Sequence, residues 1–230
     1  MKIQKKYIAF GIILLLGGIS TVFSLKSMTK ASKNVGTEEM ERLGSIIDEN
    51  PIFQNDITSY STSEEVPLYA EGDHIVITQA EMDWKIKSNE ILDIPNPEQT
   101  AYDDLCKLKS EYYYALSMGY ECTDEEIDAS LQMIRDMYQS ILNGDEVTNS
   151  EEMVALIDAS GGIDSYCEKI RDISGKQMVI EKFYADREQE FEKGLDQSLD
   201  INEKTDLWMA ERTNISNDIV AQENIHRSEE

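Results

Sequence analysis

The sequence predicts a mainly α-helical protein: an N-terminal transmembrane helix, a linker, then a multi-helix domain with a short strand or hairpin at its start. Three observations carry this. Tyr7 to Leu25 is a run of 19 residues with no charge. Leu68 to Thr78 sets two short apolar runs on either side of Gly72-Asp73. After Thr78, apolar residues recur at three- and four-residue steps to the end of the chain, the helical signature. A chain of 230 residues with 40% hydrophobic content has enough apolar side chains for a real core.

At about 1.5 Å per residue, the Tyr7–Leu25 run just spans a hydrocarbon layer of roughly 30 Å. Lys2, Lys5 and Lys6 precede it, and Lys26, Lys30 and Lys33 follow, with no acid before residue 34. The run is longer than the usual ~7–15-residue core of a secretory signal, which favours an uncleaved signal anchor over residues 1–33. The alternative is a cleaved signal peptide, with Val22 and Ser24 as a poor small-residue site. Both place the rest of the chain outside the cytoplasm. The expected location is the cell membrane, single-pass, with secretion as the alternative. No cysteine lies near the run, which excludes a lipid-modified lipoprotein.

The remainder is very acidic. Residues 34–230 hold 46 acids against 15 bases, a balance of −31, so the whole chain stands at −25. A phosphate-binding protein needs a basic face, so nucleic acid is excluded as a partner.

Residues 34–66 read as a polar linker with one short helical stretch, Glu38–Asp48, stopped by Pro51. Thr78-x-x-Glu81 is a capping box opening a helix to about Leu92. Pro95 and Pro97 close it. The next helix runs from about Glu98 to Met118, with Tyr102, Leu105, Leu108, Tyr112, Ala115 and Leu116 as its stripe and Gly119 as its cap. Thr123-x-x-Glu126 opens a helix to about Leu142 along Ile127, Leu131, Ile134, Tyr138 and Ile141. A shorter helix spans Ser150–Ala159 and ends at Gly161-Gly162. A long helix then runs from Ile163 to about Leu195, with Gly175 as a bend. A last helix covers 202–222, and 223–230 is a tail. The domain is expected over 67–222.

This order of features resembles the N-terminal domain of SurA/PrsA-type extracytoplasmic chaperones. The likeness rests on Gly72 followed by Ile77-Thr78-Gln79-Ala80-Glu81, then Ala115-Leu116-Ser117-Met118-Gly119. It continues with Thr123-Asp124-Glu125-Glu126-Ile127 and Gly162-Ile163-Asp164-Ser165-Tyr166, and covers about 68–195. The turn after the first strand is longer here than the family's usual Asn-Gly. The resemblance implies a helical, SurA N-like domain that cradles non-native polypeptide. Relatives often add a parvulin-type prolyl isomerase domain of about a hundred residues. Residues 196–230 are too few for one, so isomerase activity is not expected.

The chemistry-bearing residues are sparse. Cys106, Cys122 and Cys167 form no C-x-x-C, so neither a dithiol nor a zinc site is suggested. Small core residues are the expectation, with a Cys106–Cys122 bridge as the alternative. His74 reads as a strand residue. Acids at Asp124–Glu126 and Glu151-Glu152 fall at helix N-termini, where they favour the helix dipole. No P-loop, H-E-x-x-H or G-x-S-x-G occurs, and no cofactor, metal or catalytic residue is expected.

A second apolar surface is the candidate site. Met133 and Met137 lie one stripe away from Ile127–Ile134–Tyr138, and Tyr112-Tyr113-Tyr114 cannot all face one core. Tyr113, Met118, Met133 and Met137 therefore mark a candidate client-binding surface, since Met and Tyr re-pack against varied partners. If the helix is sandwiched, both stripes are core instead. The expected function is a membrane-anchored, non-enzymatic chaperone-like protein whose partners are unfolded or secreted polypeptides. The alternative is a cell-envelope structural or adaptor protein docking one partner through its helical face.

Overall fold

A computed structural model of the protein describes residues 35–52, 66–145, 150–196 and 198–228. The Tyr7–Leu25 run lies outside the described residues. Among those described, no helix is long and apolar enough to cross a membrane.

The described chain is mainly helical with one small antiparallel sheet. Helix α1 (Thr37–Ser45) is followed by a 3₁₀ turn (Ile47–Glu49). Strands β1 (Leu68–Glu71) and β2 (Val76–Thr78) form a hairpin closed by Gly72–Ile75. The helices α2 (Gln79–Ile91), α3 (Pro97–Ser117), α4 (Asp124–Leu142) and α5 (Ser150–Ala159) follow. Then come α6 (Ile163–Lys169), α7 (Arg171–Gly194) and α8 (Ile201–Gln222). Strand β3 (His226–Arg227) returns to the sheet, whose order is β2-β1-β3.

Both capping boxes form. Thr78 Oγ1 accepts from Glu81 N at 3.1 Å, and Glu81 Oε2 accepts from Thr78 N at 2.8 Å. Thr123 and Glu126 repeat the exchange at the start of α4. A third box, Asp200 with Glu203, starts α8. It follows the same acid-at-N3 pattern and was readable from Asp200-x-x-Glu203. Pro97 does not close α2: it occupies the first turn of α3, where a missing N–H costs nothing.

Helix α3 is the axis of the fold. It packs on α2, α7, α8 and β2. Leu105, Leu108 and Ala115 are buried along it, in one core with Ile77, Met82, Ile180, Phe183 and Tyr184.

Two sequence expectations change. The helical stretch inside the expected linker is not a tether. Met40, Leu43, Ile46, Ile47 and Ile52 are buried, and α1 lies along α5. A Cβ at Gly44 would come within 2.4 Å of the Leu156 carbonyl oxygen, so glycine is what lets the two helices approach so closely. Trp84 Nε1 donates to Ile46 O at 3.0 Å and ties α2 to this corner.

The long helix expected from Ile163 is two helices, dividing at Ile170 rather than bending at Gly175. Tyr166, Cys167 and Ile170 fill the core on one side of the break, and Ile173, Val179 and Ile180 on the other. Gly175 has a different use. A Cβ there would lie 2.7 Å from Ile127 Cδ1, so the glycine admits α4 against α7.

Candidate polypeptide-binding groove

The four residues expected to form one client-binding surface have four different surroundings. Met133 is 53% exposed on α4 and Met118 is 52% exposed just past α3. Met137 is half-buried against the core. Tyr113 faces the hairpin, where its ring stacks on His74 with centroids 4.5 Å apart and planes 14° from parallel. His74 itself stands in the β1–β2 turn, not in a strand, with Nδ1 3.4 Å from Glu223 Oε1. The single Met/Tyr surface therefore separates, and Met133 and Met137 are the pair that stay on one helix.

Their stripe has a continuation. Met133, Met137 and Ile141 follow one another at four-residue steps, hence on one face of α4. Ile141 lines an open groove of about 620 Å³ between α1, the end of α4, and α5. The groove's apolar lining is completed by Val154, Ala155 and Ala159 of α5. Its other side chains are acidic or small and polar: Glu41 on α1, Glu151 and Asp158 on α5, with Thr37 and Ser150. No base lines it. The arrangement is an apolar floor within a negative rim.

Local chemistry fixes the walls. Tyr138, one residue from Met137, is buried and donates its hydroxyl to Asp158 Oδ1 at 2.7 Å. That bond pins α4 to α5 and holds Asp158 at the rim. The carboxylate beside it, and then burial, push the Tyr138 hydroxyl up to about 12, so it stays a donor at any physiological pH. On the opposite wall, Ser160 Oγ reaches Gly44 O at 3.3 Å and Leu156 O at 2.7 Å, clamping α1 on α5. The sequence signal for this groove was present in the α4 stripe. Its other wall has no local signal, because α1 is placed by its contact with α5.

The rest of the polar interior is structural. Lys109 Nζ lies between Glu81 and the Val76 carbonyl, and Lys85 Nζ lies 3.0 Å from Asp104 Oδ2. Burial raises the Asp104 carboxyl above its usual range, only partly offset by Lys85. Glu111 accepts from Tyr184 at 2.7 Å and from Ser216, joining α3, α7 and α8. Arg212 sits 4.0 Å over the Tyr184 ring and bonds Glu181 at 2.7 Å.

The three cysteines are free, so the Cys106–Cys122 bridge is not formed. Cys106 and Cys167 are buried and Cys122 is half-buried, its sulfur 3.8 Å from Met178 Sδ. Burial pushes the Cys106 thiol up to about 11. Among the described residues, no group of three or more His, Cys, Asp and Glu is arranged to hold a metal ion.

No protein-family model, curated protein or solved structure matches the chain.

Proposed function

We propose that the protein is a membrane-anchored, extracytoplasmic, chaperone-like polypeptide binder that performs no isomerase chemistry. The observation that carries the reading is the groove between α1, α4 and α5, with its apolar floor, acidic rim and exposed methionine approach. Methionine and small aliphatic side chains accept varied apolar partners with little loss from imperfect fit. The acidic rim keeps such a surface soluble through self-repulsion. The likeness of the 68–195 segment to SurA/PrsA-type chaperone domains supports the same reading. The charge-free run Tyr7–Leu25 supports the membrane location.

The test uses the full chain in detergent micelles and a reduced, unfolded client whose aggregation is followed by light scattering. Suppression at a few-fold excess is expected. It should weaken when Met133, which is 53% exposed, is changed to Glu, with the circular dichroism spectrum and melting midpoint unchanged. No suppression at any ratio overturns the proposal. Co-purification of one partner at fixed stoichiometry, with no effect on unfolded clients, moves the protein to the alternative of a cell-envelope adaptor.

A further inference from the structure

Strand β1 is the middle strand of the sheet, and its outer edge is covered only by the chain's own two-residue strand β3. Strand β3 supplies two residues, both exposed, with Ala70 opposite Arg227 and Glu71 opposite His226. One further backbone bond, Ser228 N to Tyr69 O at 2.9 Å, extends the ladder. Beside this edge is a notch built from two tyrosines. The pairing of β1 with β2 shifts register between Leu68 and Ala70, leaving Tyr69 as the extra residue of a bulge. Bulges re-aim side chains at strand edges, and the Tyr69 ring stands 5.9 Å from that of Tyr102 on α3.

A guanidinium fills the notch. Arg227 lies 4.6 Å from the Tyr102 ring centre and 5.5 Å from that of Tyr69. Its Nη2 is 3.4 Å from Gln99 Oε1. Glu98 Oε1 accepts from the Tyr69 hydroxyl at 3.2 Å and adds negative charge to the rim. The notch thus presents two π faces, an amide oxygen and a carboxylate to whatever strand pairs with β1. Those groups suit a planar cation better than an ammonium or an apolar side chain.

We propose that the outer edge of β1, with the Tyr69/Tyr102 notch, is a strand-addition site for an extended, arginine-bearing segment of another polypeptide, and that the chain's own residues 225–228 are its resident competitor. Strand addition draws affinity from main-chain hydrogen bonds and specificity from alternate side-chain pockets. Here the ladder gives the first and the notch gives the second. The site is separate from the α1/α4/α5 groove, so it stands whether or not that groove binds clients.

The resident strand is short: its two ladder residues, His226 and Arg227, are exposed, and Ile225 is its one residue packed against the core. It is, however, tethered at a high effective concentration, so an outside peptide must overcome that advantage.

The experiment measures fluorescence anisotropy of a labelled peptide copying Asn224–Glu230, titrated with the full chain in micelles. Three chains are compared: wild type, a chain ending at Asn224, and Arg227→Ala. The chain ending at Asn224 should bind at least tenfold more tightly than wild type, and Arg227→Ala should lie between them. A peptide with alanine at the arginine position should bind the truncated chain about five- to tenfold more weakly. Tyr102→Ala in the truncated chain should remove that difference. If the truncated chain fails to fold, the Arg227→Ala comparison decides alone. Equal binding of the arginine and alanine peptides, or no gain on opening the edge, overturns the proposal.

Discussion

Lys109 Nζ lies 2.6 Å from Glu81 Oε1 at a point where the glutamate is fully buried and the lysine is 6% exposed. The same glutamate closes the capping box of α2 through Thr78. One carboxylate therefore joins the hairpin, α2 and α3. Removing one member of a buried pair leaves the other charge without compensation, which costs about 3–5 kcal/mol. Lys109→Met should lower the unfolding free energy, read from urea titration, by that amount. The double variant Glu81→Gln/Lys109→Met should recover much of the loss. A double-variant loss equal to the sum of the Glu81→Gln and Lys109→Met losses would show that the pair is not coupled.

Gly44→Ala tests the α1–α5 contact. The added methyl meets the Leu156 carbonyl oxygen and the Ala159 methyl, which lies 2.9 Å away. Overpacking of this kind costs about 1–3 kcal/mol. Backbone amides of α1 should lose hydrogen-exchange protection while those of α3 keep theirs. Client binding in the groove should fall with them, since α1 supplies one wall.

The cysteines should react unequally. Cys122 is half-buried, whereas Cys106 and Cys167 are buried, and burial raises all three thiols. Thiol labelling of the native protein at pH 8 should be slow and confined to Cys122, with all three labelled in urea. Labelling of Cys106 ahead of Cys122 would contradict the packing of α3.

Acid should weaken the start of α4. The hydrogen bond from Lys182, then the Thr123 backbone, hold the Glu126 carboxyl below its ordinary 4.5. A lowered carboxyl contributes stability above its unfolded value and loses it as pH falls through the folded one. The melting midpoint should therefore decline below about pH 4.5, and Glu126→Gln should flatten part of that decline. Asp104 works in the opposite sense, because burial raises its carboxyl. Its neutral form suits the fold, so Asp104→Asn should remove a gain on acidification.

Much of the helical framework was legible because caps and stripes are local signals. Thr78/Glu81, Thr123/Glu126 and Gly119 mark boundaries that the backbone obeys, the last with φ of +87°. The buried ion pairs were not legible. Lys85, Lys109, Glu81 and Glu111 have the composition of an exposed face, and only their partners on other helices make them interior residues. The packing of residues 37–52 was not legible for a similar reason: a nine-residue helix gains its stability from α5, which lies more than a hundred residues away in sequence. Of the candidate surface, Met133 and Met137 lead toward the groove, while Tyr113 is taken by His74, a contact no spacing rule reveals. Strand β3 is too short to leave any periodic trace.

The pairing of β1 with β3 closes the fold between residues 70 and 227, and α8 lies along α3. A chain delivered from its N-terminus cannot complete this sheet until His226 and Arg227 have emerged. The hairpin and α2–α7 must wait with the α3 face that α8 will cover still open to solvent. Completion of the fold thus waits on residues 201–228, and a molecule arrested before residue 201 keeps Tyr184 and Glu111 without the Trp208 and Ser216 contacts that finish their burial.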